Sequence, residues 1–247
     1  PDRAVVAVQV EKIESRRVQA AEEVVGTVRA KLQASLEAKV SGRIAELPVA
    51  PGQAVRQGEV LVKLDARELN ARLEQAVAQR DQYARETERL RGLLGLNAVS
   101  RQEFEGIESR YRIAAGAVAE TETLLGYTQI TAPFDGVITR KFAEVGDTAA
   151  PGRLLLQMED PSALRLEADV PESLIGGVKI GRAVLTHISS LELALEGKVA
   201  EIAPAADPSS RTFLVKIDLL PTPGLRGGMF GRAAIPHREQ ELLLAPA

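Results

Sequence analysis

Two stretches of the chain alternate apolar and polar residues in the same order, 94 residues apart. KVSGRIAELPVAPGQAVRQGEVLVKLD (39–65) and PFDGVITRKFAEVGDTAAPGRLLLQME (133–159) align without a gap. Gly42 falls on Gly136, Gly52 on Gly146, Gly58 on Gly152, Ile44 on Ile138, Leu61 on Leu155 and Asp65 on Glu159. Short alternating runs bounded by glycine turns predict half-buried strands. Glycine supplies the positive φ, or the close backbone approach, that such turns need. Each copy is too small to bury a core alone, so the two are expected to pack together as a two-fold sandwich.

The segment between the copies has a different period. Leu69, Leu73, Ala76, Arg80, Tyr83, Thr87, Leu90 and Leu94 are spaced alternately four and three apart. So are Phe104, Ile107, Tyr111, Ala114, Val118, Thr121 and Leu125. Each set is a heptad seam. The two seams mirror each other about residue 97, pairing Leu90 with Phe104, Tyr83 with Tyr111 and Leu69 with Leu125. An antiparallel helical hairpin requires such a mirror. GLNAVS (95–100) offers Gly95 and Asn97 for the turn, and Ser100 with Glu103 for a capping box. Arg80 is the odd seam member; its stem is expected to pack and its head to reach solvent past Ala114. Each arm should be about 40 Å long.

After residue 160 the pattern returns to strands: ALRLEADV (163–170), RAVLTHI (182–188), GKVAEIA (197–203), TFLVKIDL (212–219) and GRAAI (231–235). Proline and glycine punctuate them, which predicts a small antiparallel barrel. VVGTVRAKLQASLEAKV (24–40) is expected to add a barrel strand before entering the first sandwich half, and Val6, Val8 and Val10 mark an alternating strand near the start.

Composition narrows the function. Of the 247 residues only 3% are aromatic, none is Trp, and the net charge is −3. Such a chain lacks the stacking platforms and basic stripe of a nucleic-acid binder. The absence of Cys excludes disulfides and thiolate metal sites. His187 and His237 are far apart in sequence, and Met158 and Met229 fall in core register, so no soft-metal cluster is expected. GLRGGMFG lacks the Lys-Ser/Thr of a phosphate loop, and Ser209 and Ser210 have no activating His motif. No catalytic, cofactor or metal residue is assigned. No run approaches the 18 or so apolar residues of a membrane helix. The chain starts at Pro1, so a membrane tether is expected upstream of this segment.

The doubled pattern resembles the biotinyl/lipoyl carrier domain. Aligning LVKLDARE puts Glu68 where a carrier's modified lysine stands, and Lys63 lies inside a strand, so the attachment point is missing. A lipoyl-like domain split by a helical hairpin is similar to the periplasmic adaptors, or membrane fusion proteins, of tripartite efflux pumps. PESLIGGVKIG, EIAPAADPSSRTFLVKIDL and LRGGMFGRAAI are similar to that family's barrel region. At the tip, RLRGLLGLNAVS places Arg89, Leu93 and Ser100 at the spacing with which family members dock on a TolC-type channel.

The resemblance implies an elongated, mainly β multidomain fold with a long helical hairpin. Its parts would be a membrane-proximal portion (1–23 with 236–247), a β-barrel (24–38 and 161–235), a lipoyl-like sandwich (39–65 and 131–160) and the hairpin (66–130). It implies a periplasmic adaptor anchored to the inner membrane of a Gram-negative bacterium, without enzymatic activity. The implied partners are an inner-membrane pump, expected of the resistance-nodulation-division type, a TolC-type channel, and further copies in a ring, expected to be hexameric. The cargo would be drugs or other amphiphiles. An adaptor for an ATP-driven exporter or a heavy-metal pump, and a carrier domain of a transferase complex, remain alternatives.

Overall fold

The computed structural model describes the backbone of residues 14–244 and the side chains of residues 21–236. In chain order the strands are β1 (Glu14–Ala30), β2 (Gln33–Glu37), β3 (Gly42–Glu46), β4 (Ala54–Val55) and β5 (Val60–Leu64). Two helices follow, α1 (Arg67–Gly95) and α2 (Arg101–Gly126). Next come β6 (Gln129–Thr131), β7 (Gly136–Lys141), β8 (Thr148–Ala149), β9 (Leu154–Glu159) and β10 (Leu164–Pro171). The chain ends with the single turn α3 (Glu172–Ile175), then β11 (Ala183–Ile188), β12 (Leu193–Ile202), β13 (Thr212–Leu219) and β14 (Phe230–Leu244). They form two compact units, Leu32–Asp160 and a second built from the segments on either side of it.

The first unit is the sandwich with its hairpin. One sheet has the order β2-β9-β7-β4 and the other β6-β5-β3-β8. A shift of 94 residues turns one order into the other. The equivalence is reciprocal at the level of hydrogen bonds. Gly52 N–H donates to Ile138 O at 2.8 Å, and Gly146 N–H to Ile44 O at 2.9 Å. Gly58 N–H donates to Ala132 O at 2.8 Å, and Gly152 N–H to Ala38 O at 3.0 Å. Each half therefore anchors its turns on the other, as a two-fold requires. The glycines match too: φ is 87° and 96° at Gly52 and Gly146, and 80° and 81° at Gly58 and Gly152. Ile44, Leu61, Ile138, Leu155 and Met158 fill the space between the sheets, each at most 1% exposed.

The strands redraw two boundaries. Gln33–Glu37, expected in the barrel, pairs with β9 in the sandwich, and Gln129–Thr131, of which Gln129 and Ile130 were expected in the hairpin, pairs with β5. These two strands are repeat mates, so the repeat begins earlier than Lys39. The reason it was hidden is one of phase. Buried Val24, Val28 and Ala30 of the barrel and Leu36 and Ala38 of the sandwich all occupy even positions. Alternation continues unbroken across the change of sheet, and a period alone cannot show which sheet a strand joins.

The second unit is a closed barrel of order β1-β10-β13-β12-β11-β14. Alternate residues point inward, and Val28, Leu166, Ile188, Val215, Ile217 and Ile235 are fully buried. Leu174 of α3 joins that core at 2% exposure. Gly26 is required where β1 meets β10, because a Cβ there would lie 2.5 Å from Glu167 O. Of the membrane-proximal part expected from 1–23 and 236–247, residues 1–13 and 245–247 lie outside the described residues. Within them β1 and β14 remain paired out to Glu14 and Leu244, with a register shift between Gln19 and Ala21.

The helices follow the mirrored seams. α1 has 29 residues and α2 has 26, so each is about 40 Å long. Their buried residues, Thr87 and Leu90 on α1 and Ala114, Val118 and Thr121 on α2, all lie on the expected seams. Threonine is tolerated there because its hydroxyl bonds the preceding turn: Thr87 Oγ1 donates to Tyr83 O and Thr121 Oγ1 to Ala117 O, both at 2.8 Å. Arg80 is half-buried and turns its head to Asp81 Oδ1 at 2.7 Å. The helices pack chiefly on each other, and among the described residues the sandwich core includes none from the hairpin.

Candidate functional site

The root of the hairpin is braced from both strands that feed it. Arg67 grips the Asp65 carboxylate with Nε and Nη2, the latter at 2.6 Å. That side-chain hydrogen bond, helped by the Arg67 backbone N–H, holds the Asp65 pKa at about 2, below its ordinary 3.8. The brace is thus present above pH 3.8 and is lost as pH falls through about 2. On the return side, the ring of Tyr127, just past α2, has its centre 4.8 Å from Nζ of Lys39, which lies between β2 and β3. Beside them a cleft of about 580 Å³ opens between the repeat-mate strands β2 and β6, flanked by Ser35, Glu37, Gln129 and Thr131. Glu68, at the place of a carrier's lysine, is exposed in the first turn of α1.

The other end is the tip, where sequence reasoning placed a docking site. α1 closes with a left-handed residue. Asn97 has φ 55°, its N–H donates to Leu94 O at 3.0 Å, and Ala98 N–H donates to Leu93 O at 2.9 Å. The reversal falls on Asn97 alone; Gly95, expected to share it, is the last helical residue. Asparagine is among the few side chains that visit this region readily. α2 then starts from Ser100, whose Oγ accepts from Glu103 N–H at 3.1 Å.

All three expected residues sit at this end, and each is partly engaged within the hairpin. Ser100 serves as the cap. Arg89 is exposed but ion-paired with Glu86 one turn earlier, and that hydrogen bond raises its pKa further. Leu93 is half-buried. Arg91 lies 5.8 Å from the centre of the Phe104 ring while also pairing with Glu88 at 3.1 Å. Ser100→Ala should destabilise the hairpin end by about 1 kcal/mol; hydrogen exchange of the Arg101–Phe104 amides should quicken while the sandwich amides are unchanged. What sequence reasoning missed is Leu96, 77% exposed at the apex.

No group of three or more potential metal ligands occurs among the described residues. His187 is exposed on β11, and His237 lies beyond the described side chains. Met158 is buried in the sandwich, and Met229 packs on the barrel core. Among the described residues no helix is long and apolar enough to cross a membrane.

A sandwich split by a helical hairpin and joined to a six-stranded barrel defines a class. Residues 32–157 match the family model described as "RND MFP, barrel-sandwich hybrid domain", and residues 164–239 match "CusB-like, beta-barrel domain". The chain belongs to the RND membrane fusion protein family, whose members are structural and not enzymes.

Among its relatives is an uncharacterized protein of Haemophilus influenzae, 30% identical over 213 residues, covering 85% of this chain and 56% of that protein. Nodulation protein NolF of Rhizobium meliloti is 27% identical over 223 residues, 84% of this chain and 61% of its own length. Multidrug resistance protein MdtA of Klebsiella pneumoniae is 30% identical over 179 residues, 64% and 43% respectively. The chain spans about half the length of these curated relatives. In fold it is similar to a MacA-MexA chimera carrying the Pseudomonas aeruginosa MexA α-hairpin. The TM-score is 0.85 at 25% identity, over 96% of this chain and 88% of that one.

Proposed function

We propose that this chain is the central part of a periplasmic adaptor that joins an inner-membrane efflux pump to a TolC-type outer-membrane channel. The observation that carries the reading is the hairpin itself: a two-helix arm about 40 Å long that adds nothing to the core of its sandwich. So long an arm with so little core is suited to reaching another molecule. Arg89, exposed, and Leu93, half-buried, lie toward its far end, where Ser100 caps α2; in this reading they are the residues that meet the channel. The RND family match favours a resistance-nodulation-division pump over an ATP-driven exporter. Both methionines are packing residues, which favours organic amphiphiles over soft metal ions as cargo. Copies would stand side by side in a ring, a hexamer in this reading, tethered to the inner membrane of a Gram-negative cell by a segment outside this chain.

The test is cross-linking in a Gram-negative host that carries the full-length adaptor, its pump and its channel. Arg89→Ala and Leu93→Ala should each weaken adaptor–channel cross-linking about tenfold and lower drug resistance, with adaptor abundance unchanged. Cross-linking and resistance at parental levels in both variants would overturn the docking assignment.

A further inference from the structure

We propose that one side of the hairpin shaft is a self-complementary surface, on which a second copy of this chain packs antiparallel about a two-fold axis. On α2, Gly106, Arg110, Ile113, Ala117, Glu120 and Leu124 are spaced four, three, four, three and four apart, so they share one face. That face lies beside the seam. Ala114, Val118 and Thr121 of the seam are buried, whereas Arg110, Ile113, Ala117 and Glu120 are exposed. Ile113 stands out in mid-shaft at 71% exposure. One turn nearer the root, a cavity of about 280 Å³ opens beside Ala117, between Ala76 and Gln79 of α1 and Ala114 and Thr121 of α2. A knob and a hole thus lie on the same side, four residues apart.

A single exposed isoleucine is ordinary on a protein surface, but the pattern around this one is a palindrome. About a midpoint near residue 115 the six positions mirror one another, and their contents are complementary. Ile113 mirrors Ala117, a large side chain against a small one at the hole. Gly106 mirrors Leu124, again small against large. Arg110 mirrors Glu120, positive against negative. A two-fold axis at the midpoint turns each mirrored pair into a contact between copies, made twice. Two features have no use inside one hairpin. Arg110 and Glu120 have no hydrogen-bond or ion-pair partner among the described residues. Glycine is a poor residue for a helix interior, and a Cβ on Gly106 would meet nothing within 4 Å, so the hairpin itself does not require it; the close approach of another helix does. A parallel pair is disfavoured, because Ile113 would fall a full turn short of the partner's hole. The overlap from Gly106 to Leu124 is about 27 Å long, which predicts a weak, reversible dimer. Its two tips point opposite ways, so it is an assembly of free adaptor, distinct from a ring whose tips all face one way.

The experiment uses the full-length adaptor, purified without pump or channel, and so is read apart from the docking reading. Sedimentation should show a reversible dimer. Ile113→Asp should weaken it about tenfold or more, while Ile113→Leu should leave it within about threefold of the parent. Glu120→Arg and Arg110→Glu should each weaken it, and the two together should restore it. Gly106→Ala should weaken it while making the hairpin more resistant to heat. Far-ultraviolet circular dichroism should match the parent in every variant, since none of the substituted side chains is buried. Residues 1–247 contain no cysteine, so engineered ones report position: Arg110→Cys mixed with Glu120→Cys should give a disulfide-linked pair that neither gives alone. A monomer at all concentrations, a double charge swap no better than the single ones, or no more cross-linking on mixing than in either protein alone would overturn the proposal.

Discussion

Gly136→Ala is expected to destabilise the sandwich by about 3 kcal/mol, whereas Gly42→Ala, the same change at the repeat-equivalent position, should cost about 1 kcal/mol or less. In sequence the two glycines are interchangeable. In the structure they are not. A Cβ on Gly136 would lie 2.5 Å from Glu159 O and 3.2 Å from the Met158 methyl. The carbonyl belongs to β9, held in the ladder with β7, and it has no room to retreat. A Cβ on Gly42 meets Leu64 Cβ at 3.3 Å, and Asp65 O, the counterpart of Glu159 O, is 3.7 Å away. The difference follows from what each half does next. β9 stays paired with β7 as far as Glu159, opposite Val137, across one register shift between Ile138 and Arg140. Asp65 instead hands the chain to α1 under the grip of Arg67. Urea unfolding followed by circular dichroism reads the contrast; equal losses at the two sites would show that the halves are packed alike.

Ile44→Ala and Ile138→Ala should behave the other way, as matched losses of about 2–5 kcal/mol each. Both isoleucines are at most 1% exposed, and both carry the backbone groups that receive the other half's turn. Gly146 N–H reaches Ile44 O, and Gly52 N–H reaches Ile138 O. Because every such bond crosses between halves, neither half has a complete sheet alone. Each variant is expected to lower the stability of the whole sandwich in a single transition, seen as coincident loss of protection in both halves by hydrogen exchange. Selective opening of only the mutated half would show that the halves are independent.

Two features of the molecule are written locally and so were legible in one dimension. Strand alternation repeated at a fixed offset implies the two-fold, and heptads mirrored about residue 97 imply the hairpin, because both depend only on which residues lie a few positions apart. The buried residues of α1 and α2 fall on those seams for this reason. The tip spacing of Arg89, Leu93 and Ser100 was likewise visible in the sequence.

What the linear order could not decide is which distant atoms become neighbours. Gln33–Glu37 and Gln129–Thr131 keep an alternation that any sheet would accept, and only pairing with β9 and β5 assigns them to the sandwich. Gly42 and Gly136 read alike until the carbonyl beside each is known. At the apex, the residue types were plain, but their commitments were not: hydrogen bonds and burial engage Ser100, Arg89 and Leu93, and leave Leu96 in the open. Periodicity specifies a face, whereas occupancy of that face is a property of three-dimensional contact.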